Sequence, residues 1–114
     1  EWKEILLDST LYCPHSLVAV DANSDGLTDV VVGEMAAGGW MFLRNPNPCL
    51  YLYLNLGNLN FSKHLLHEGW GVHMMQKTLL QPGDRLFVFA ADEIQAWYED
   101  MSTNLVGWFI SPIK

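Results

Sequence analysis

The sequence predicts an all-β domain built from two similar antiparallel units. Turn residues recur about every eight to twelve positions and separate short apolar or aromatic runs. No stretch carries the 3.6-residue apolar period of a long amphipathic helix. Short motifs of the first half also return, in order, in the second half.

In chain order the predicted strands are Lys3–Leu7, Ser16–Val20, Asp29–Gly33, Leu50–Leu54, Ser62–His67, Val72–Leu79, Arg85–Ala90, Ile94–Tyr98 and Val106–Ile110. Each is short and rich in Val, Ile, Leu, Tyr, Phe or Trp, side chains that pack on a pleated surface. Leu56-Gly-Asn58 and Gln81-Pro-Gly-Asp84 read as tight turns. Glu34–Pro48, with Ala-Ala-Gly-Gly and Asn-Pro-Asn-Pro, reads as a long irregular loop, a place where rigid scaffolds carry function.

With 114 residues the chain is one domain, 1–114, with room for a single core. Half of it is apolar and only 17% charged, which argues for a packed body and against disorder. A net charge of −7 disfavours nucleic acid and anionic membranes, which need a cationic face. No apolar run approaches the roughly 18–20 residues that span a bilayer, so no membrane insertion is expected. The chain opens at Glu1-Trp2 without Met and reads as a processed or excised piece, from which any signal peptide would already be gone. Cys13 and Cys49 permit one disulfide but equally suit two buried thiols. Asn60-Phe-Ser62 is a glycosylation sequon.

The most specific segment is Asp21-Ala-Asn-Ser-Asp-Gly-Leu-Thr-Asp29. It sets oxygen side chains at loop positions 1, 3, 5 and 9 around a Gly, the spacing with which a chain wraps a hard cation that seeks about six to eight oxygens. Asp21, Asn23, Asp25 and Asp29 are the candidate Ca²⁺ ligands, and Leu27 adds its backbone carbonyl. An EF-hand is excluded, because position 12 is Val32 where that loop needs Glu, and because the flanks Leu17–Val20 and Val30–Val32 are strand-like. The competing reading is a polar hairpin turn made by the same Asp, Asn, Ser and Gly.

Lys3-Glu-Ile-Leu-Leu7 matches Lys63-His-Leu-Leu-His67, Pro14-His15-Ser16 matches Val72-His73-Met74, and Gly26 followed by Asp29–Val32 matches Gly83 followed by Leu86–Phe89. The offset drifts from 60 to 57. A period of that size with about four strands points to β-propeller blades. Repeat one spans about 3–60, repeat two about 61–105, and 106–114 forms a C-terminal strand. The second copy reads Leu79-Leu-Gln-Pro82 and Leu86 where the first has its acidic ligands, so one cation is expected.

His15–Met35 as a whole resembles the VCBS or FG-GAP repeat of integrin alpha-chain propellers and secreted bacterial proteins, and Tyr53–Phe61 resembles the connecting segment of that repeat. The resemblance covers roughly residues 3–98 and is faint in the second copy. It implies Ca²⁺ held by Asp21, Asn23, Asp25 and Asp29 between two strands of a blade, an extracellular setting, and a protein or carbohydrate partner. It also implies, as the alternative, a piece of a propeller-type polysaccharide-degrading enzyme. Two blades do not close a propeller, which has about four to eight. That leaves a fragment of a longer propeller, a homo-oligomeric ring of blades with Val106–Lys114 as an exchanged strand, or a small closed sandwich or barrel. A further alternative function is that of an assembling unit with no ligand beyond calcium.

Four residues form a candidate ligand pocket. His15 and His73 stand at equivalent places in the two repeats, Glu34 follows the second strand of the acidic hairpin, and Trp40 sits in the long loop behind two Gly. A carboxylate beside an aromatic suits a sugar, yet no second carboxylate is fixed beside Glu34 for glycoside hydrolysis. No catalytic residue is assigned. His64 and His67, three apart on a predicted strand, are expected on opposite faces, which argues against a shared metal.

Overall fold

A computed structural model describes residues 2–38, 43–79, 86–92 and 104–110. The strands are β1 (Pro14–Val20), β2 (Asp29–Glu34), β3 (Ala37–Gly38), β4 (Leu43–Arg44), β5 (Cys49–Asn55), β6 (Phe61–Glu68), β7 (Met74–Leu79), β8 (Leu86–Asp92) and β9 (Asn104–Ile110). Every pairing is antiparallel, and no helix occurs among the described residues. None there is long and apolar enough to cross a membrane.

Two meanders result. The first sheet runs β1-β2-β5-β6 and the second β7-β8-β9, with β3 and β4 a small separate hairpin. Alternation gives the first sheet two distinct faces. On one face Val31 and Leu52, opposite one another, are both fully buried and join Val20, Leu50 and Leu54 in a core that also takes in Val72, Met75 and Val88. Those last three belong to the second sheet and its lead-in, so this face is where the two sheets meet. On the other face, which Tyr51 shares, Tyr53 and Glu34 receive the N-terminal segment.

β2 starts at Asp29 and β8 at Leu86, the two positions the repeat equates, and the equivalent Val31 and Val88 both have 0% exposure. The sheet boundary nevertheless falls one strand later than the sequence repeat, because β6 completes the first sheet by pairing with β5. The C-terminal strand, in turn, is the third strand of the second sheet.

Three expectations change. Lys3–Leu7 forms no strand, and Ile5, Leu6 and Leu7 are exposed, because no described strand lies beside this segment to satisfy its backbone. The loop Glu34–Pro48 is partly ordered as β3 and β4, with Asn45 donating its N–H to the Ala36 carbonyl. A bulge between Leu50 and Tyr51 pairs His64 with Leu52 and His67 with Leu50. Since Leu50 and Leu52 share a face, the extra residue puts both histidines on that face and reverses the expectation of opposite faces. Predicted strand Ile94–Tyr98 and turn Gln81–Asp84 lie outside the described residues.

Candidate functional site

The β1–β2 connection, residues 21–28, folds around the Asp21 carboxylate. Its Oδ1 accepts the Asp25 N–H at 3.1 Å and its Oδ2 the Gly26 N–H at 3.0 Å. Asn23 Oδ1 accepts the same Asp25 N–H at 3.2 Å, so oxygens from positions 1 and 3 converge on one nitrogen. Asp25 Oδ1 accepts the Leu27 N–H at 2.7 Å, and Asp25 Oδ2 accepts from Asn23 Nδ2 at 2.8 Å. The tight path needs left-handed backbone at Ser24 (φ 62°) and at Gly26 (φ 82°). Gly supplies that conformation without a Cβ clash, and a short polar side chain tolerates it better than a bulky one.

Asp29 does a different job. Fully buried, it takes the Ala22 N–H on Oδ2 at 2.7 Å and the Asn55 N–H on Oδ1 at 2.8 Å. Asn55 answers by donating Nδ2 to the Thr28 carbonyl at 3.1 Å. The base of the loop is thereby tied to the end of β5. Asp21, Asn23 and Asp25 stay at the surface or partly so, while Asp29 lies beneath them. Among the described residues no three His, Cys, Asp or Glu side chains gather at metal-ligand spacing. The donor set at the loop is nonetheless all oxygen, and a carboxylate oxygen that accepts one N–H keeps lone pairs for a hard cation.

The proposed pocket residues are distributed otherwise. His15 and His73 meet, with ring centroids 4.6 Å apart and planes 26° from parallel. His15 Nδ1 lies 2.9 Å from the His73 carbonyl, which can only accept, so His15 carries a proton on Nδ1. Glu34 is only 4% exposed. Its Oε1 accepts the Tyr12 N–H at 2.7 Å, and its Oε2 accepts Asn45 Nδ2 at 3.2 Å and the Cys49 N–H at 3.1 Å. Its carbonyl takes the Val72 N–H at 2.8 Å. Glu34 therefore fastens four chain segments, a structural task that leaves its carboxylate facing amides and not an open cleft. Trp40 lies outside the described residues. Cys13 and Cys49 are free thiols.

Comparison with family models, with curated proteins and with solved structures finds no match.

A second polar cluster has no counterpart in the sequence reading. Asp8 Oδ2 meets Lys63 Nζ at 2.7 Å and accepts the Tyr53 hydroxyl at 2.7 Å, while Oδ1 accepts the Thr10 N–H at 2.6 Å and the Thr10 hydroxyl at 2.7 Å. The Lys63 ammonium also sits 4.0 Å from the centre of the Tyr51 ring. Lys63, then the Thr10 and Tyr53 hydroxyls, hold the Asp8 carboxyl well below the usual carboxylate range. Burial, then the bond to Asp8, raises the Tyr53 phenol, and contact with Cys49 followed by burial pushes Tyr51 up to about 12. The signal within the chain is Asp8-Ser-Thr10, an Asx-turn pattern, but its partners 45 and 55 residues away carry none.

Proposed function

We propose that this domain is a Ca²⁺-binding β repeat of the VCBS or FG-GAP type, in an extracellular setting, whose ion is structural and whose loops bind a protein or carbohydrate partner. The observation that carries it is the convergence of Asp21 and Asn23 oxygens on the Asp25 amide, with the Asp25 carboxylate folded into the same turn. Asp21, Asn23 and Asp25 hold the ion together with the Leu27 carbonyl, and Asp29 closes the loop from below. A bound divalent cation offsets the charge of neighbouring carboxylates and keeps the hairpin shut.

The blade reading draws support from two antiparallel meanders whose equivalent central positions, Val31 and Val88, are buried alike. For the binding role, exposed Leu27, Leu56 and Leu59 stand on the two connections that Asn55 ties together, beside the acidic loop. That end of the first sheet is where we place the partner. Calorimetric titration with CaCl₂ against a Mg²⁺ control tests the metal. Heat of binding that disappears in Asp21→Ala is expected; no heat in the wild-type chain overturns the reading.

A further inference from the structure

Among the described residues the two sheets differ by one strand, and the repeat names a candidate for it. Pairing Val30 with Tyr53 in the first sheet corresponds to pairing Phe87 with Phe109 in the second, so β5 and β9 are equivalent strands. In the first sheet β5 is covered on its far side by β6. Among the described residues nothing pairs with the far side of β9. The sequence equivalent of β6, through Lys63–His67, is Lys3–Leu7, a predicted strand that has no paired neighbour among the described residues. Its apolar side chains are in solvent, Leu6 at 77% exposure. An unpaired strand edge and an unpaired strand-forming segment are each a template for association.

The two do not pair within one copy. The residues that follow the segment are fastened to the Tyr53 and Glu34 face of the first sheet, by Asp8 on Tyr53 and by Tyr12 on Glu34. The second sheet packs on the opposite face, through Val31, Leu52, Val72 and Val88. The anchors that follow Lys3–Leu7 and the packed second sheet thus lie on opposite faces of the first sheet.

We propose that Lys3–Leu7 of one copy adds to β9 of a second copy as an antiparallel fourth strand. Transferring the β5–β6 register, bulge included, pairs Lys3 with Phe109, Glu4 with Trp108, Ile5 with Gly107 and Leu7 with Val106. Donor and acceptor lie on different surfaces, so the contact is heterologous and generates a ring or a row of copies. The proposal rests on the blade-repeat part of the reading above and not on calcium.

The test is the solution mass of the 114-residue chain over a range of concentrations, followed by mixing two separately prepared variants. Both carry Cys13→Ser and Cys49→Ala; one adds Ile5→Cys and the other Gly107→Cys. An assembly larger than one chain is expected, together with a disulfide-linked heterodimer after mild oxidation. Replacing both Ile5 and Leu6 by Pro removes whichever amide faces the neighbour and is expected to reduce the mass to one chain. A single-chain mass at every concentration, or no heterodimer from the mixture, overturns the proposal. Since these readouts are taken with and without EDTA, failure of the calcium reading and failure of strand addition are told apart.

Discussion

Val72 packs directly onto the backbone of Gly33. A Cβ built at Gly33 would sit 2.5 Å from Val72 Cβ and 2.7 Å from its Cγ1, closer than carbon atoms approach. The contact brings the lead-in of β7 against the middle of the first sheet, and the adjacent bond from the Val72 N–H to the Glu34 carbonyl, at 2.8 Å, fixes it there. Only a residue without a side chain allows the two sheets to come this near.

Gly33→Ala is therefore expected to destabilise the fold by about 1–3 kcal/mol, the usual cost of overfilling a packed core. Val72→Ala in the same chain does not restore stability, since the nearest atom is the Cβ that alanine keeps. Urea denaturation of the two single variants and the double variant measures this. Full recovery in the double variant would show that the crowding lies elsewhere.

The acidic loop separates two kinds of carboxylate. Asp29 accepts two amide hydrogen bonds in a fully buried place, so Asp29→Ala is expected to cost about 3 kcal/mol whether or not calcium is present. Asp21 works at the surface of the loop, and Asp21→Ala removes the response to calcium while changing the metal-free stability far less. A ligand at about 20 times its dissociation constant stabilises by about 1.8 kcal/mol. Thermal melts in EDTA and in excess Ca²⁺ thus give a rise of several degrees for the wild type, none for Asp21→Ala, and a low melting point in both buffers for Asp29→Ala. An equal rise in wild type and Asp21→Ala would remove the metal assignment.

The strands of the first sheet are legible because β-branched and aromatic runs such as Val30–Val32 and Leu50–Leu54 alternate between buried faces. The acidic loop is legible because its bonds are local, each side chain reaching amides two to five residues away. What escapes is non-local. Glu34 looks like a pocket residue until Tyr12, Asn45 and Cys49 are seen around it. The phase of His64 and His67 hangs on one extra residue in the ladder, which no local propensity announces. Lys3–Leu7 has the composition of a strand, but composition does not supply the neighbour a strand needs.

The Asp8 cluster makes stability depend on pH at both ends. Asp8 is held below its unfolded value of about 3.9, so its contribution is complete above that value and is lost as pH falls toward the folded one. Tyr51 and Tyr53 are raised, so theirs is complete below the unfolded value of about 10 and is lost as pH climbs past it. Melting temperature plotted against pH is expected to fall below about pH 4 and above about pH 10. Asp8→Asn flattens the acid limb and loosens residues 2–12, read as faster amide exchange at Thr10, whose N–H is bonded to Asp8. An acid limb unchanged in Asp8→Asn would assign that dependence to other carboxylates.

The β5–β6 turn stores strain at an exposed leucine. Leu59 is held at φ 63°, one residue after Asn58 at 51° and Gly57 at 81°. Asn tolerates this left-handed region and Gly adopts it freely, whereas a leucine there costs about 1–2 kcal/mol relative to the right-handed form. Its side chain is 56% exposed and returns little packing to offset that cost. The turn itself is set by the backbone, with the Asn60 N–H on the Gly57 carbonyl at 3.0 Å and the Leu56 N–H on the Asn60 carbonyl at 2.8 Å, so a smaller residue at 59 leaves it intact. Leu59→Gly is expected to raise stability by about 0.5 kcal/mol once the greater freedom of glycine in the unfolded chain is subtracted. The same exposed leucine belongs to the apolar group beside the acidic loop, so a variant that gains stability and loses partner binding identifies the strain as retained for contact. Denaturant midpoints read the first effect, and a Leu59→Gly midpoint below that of the wild type would mean that Leu59 packs usefully after all.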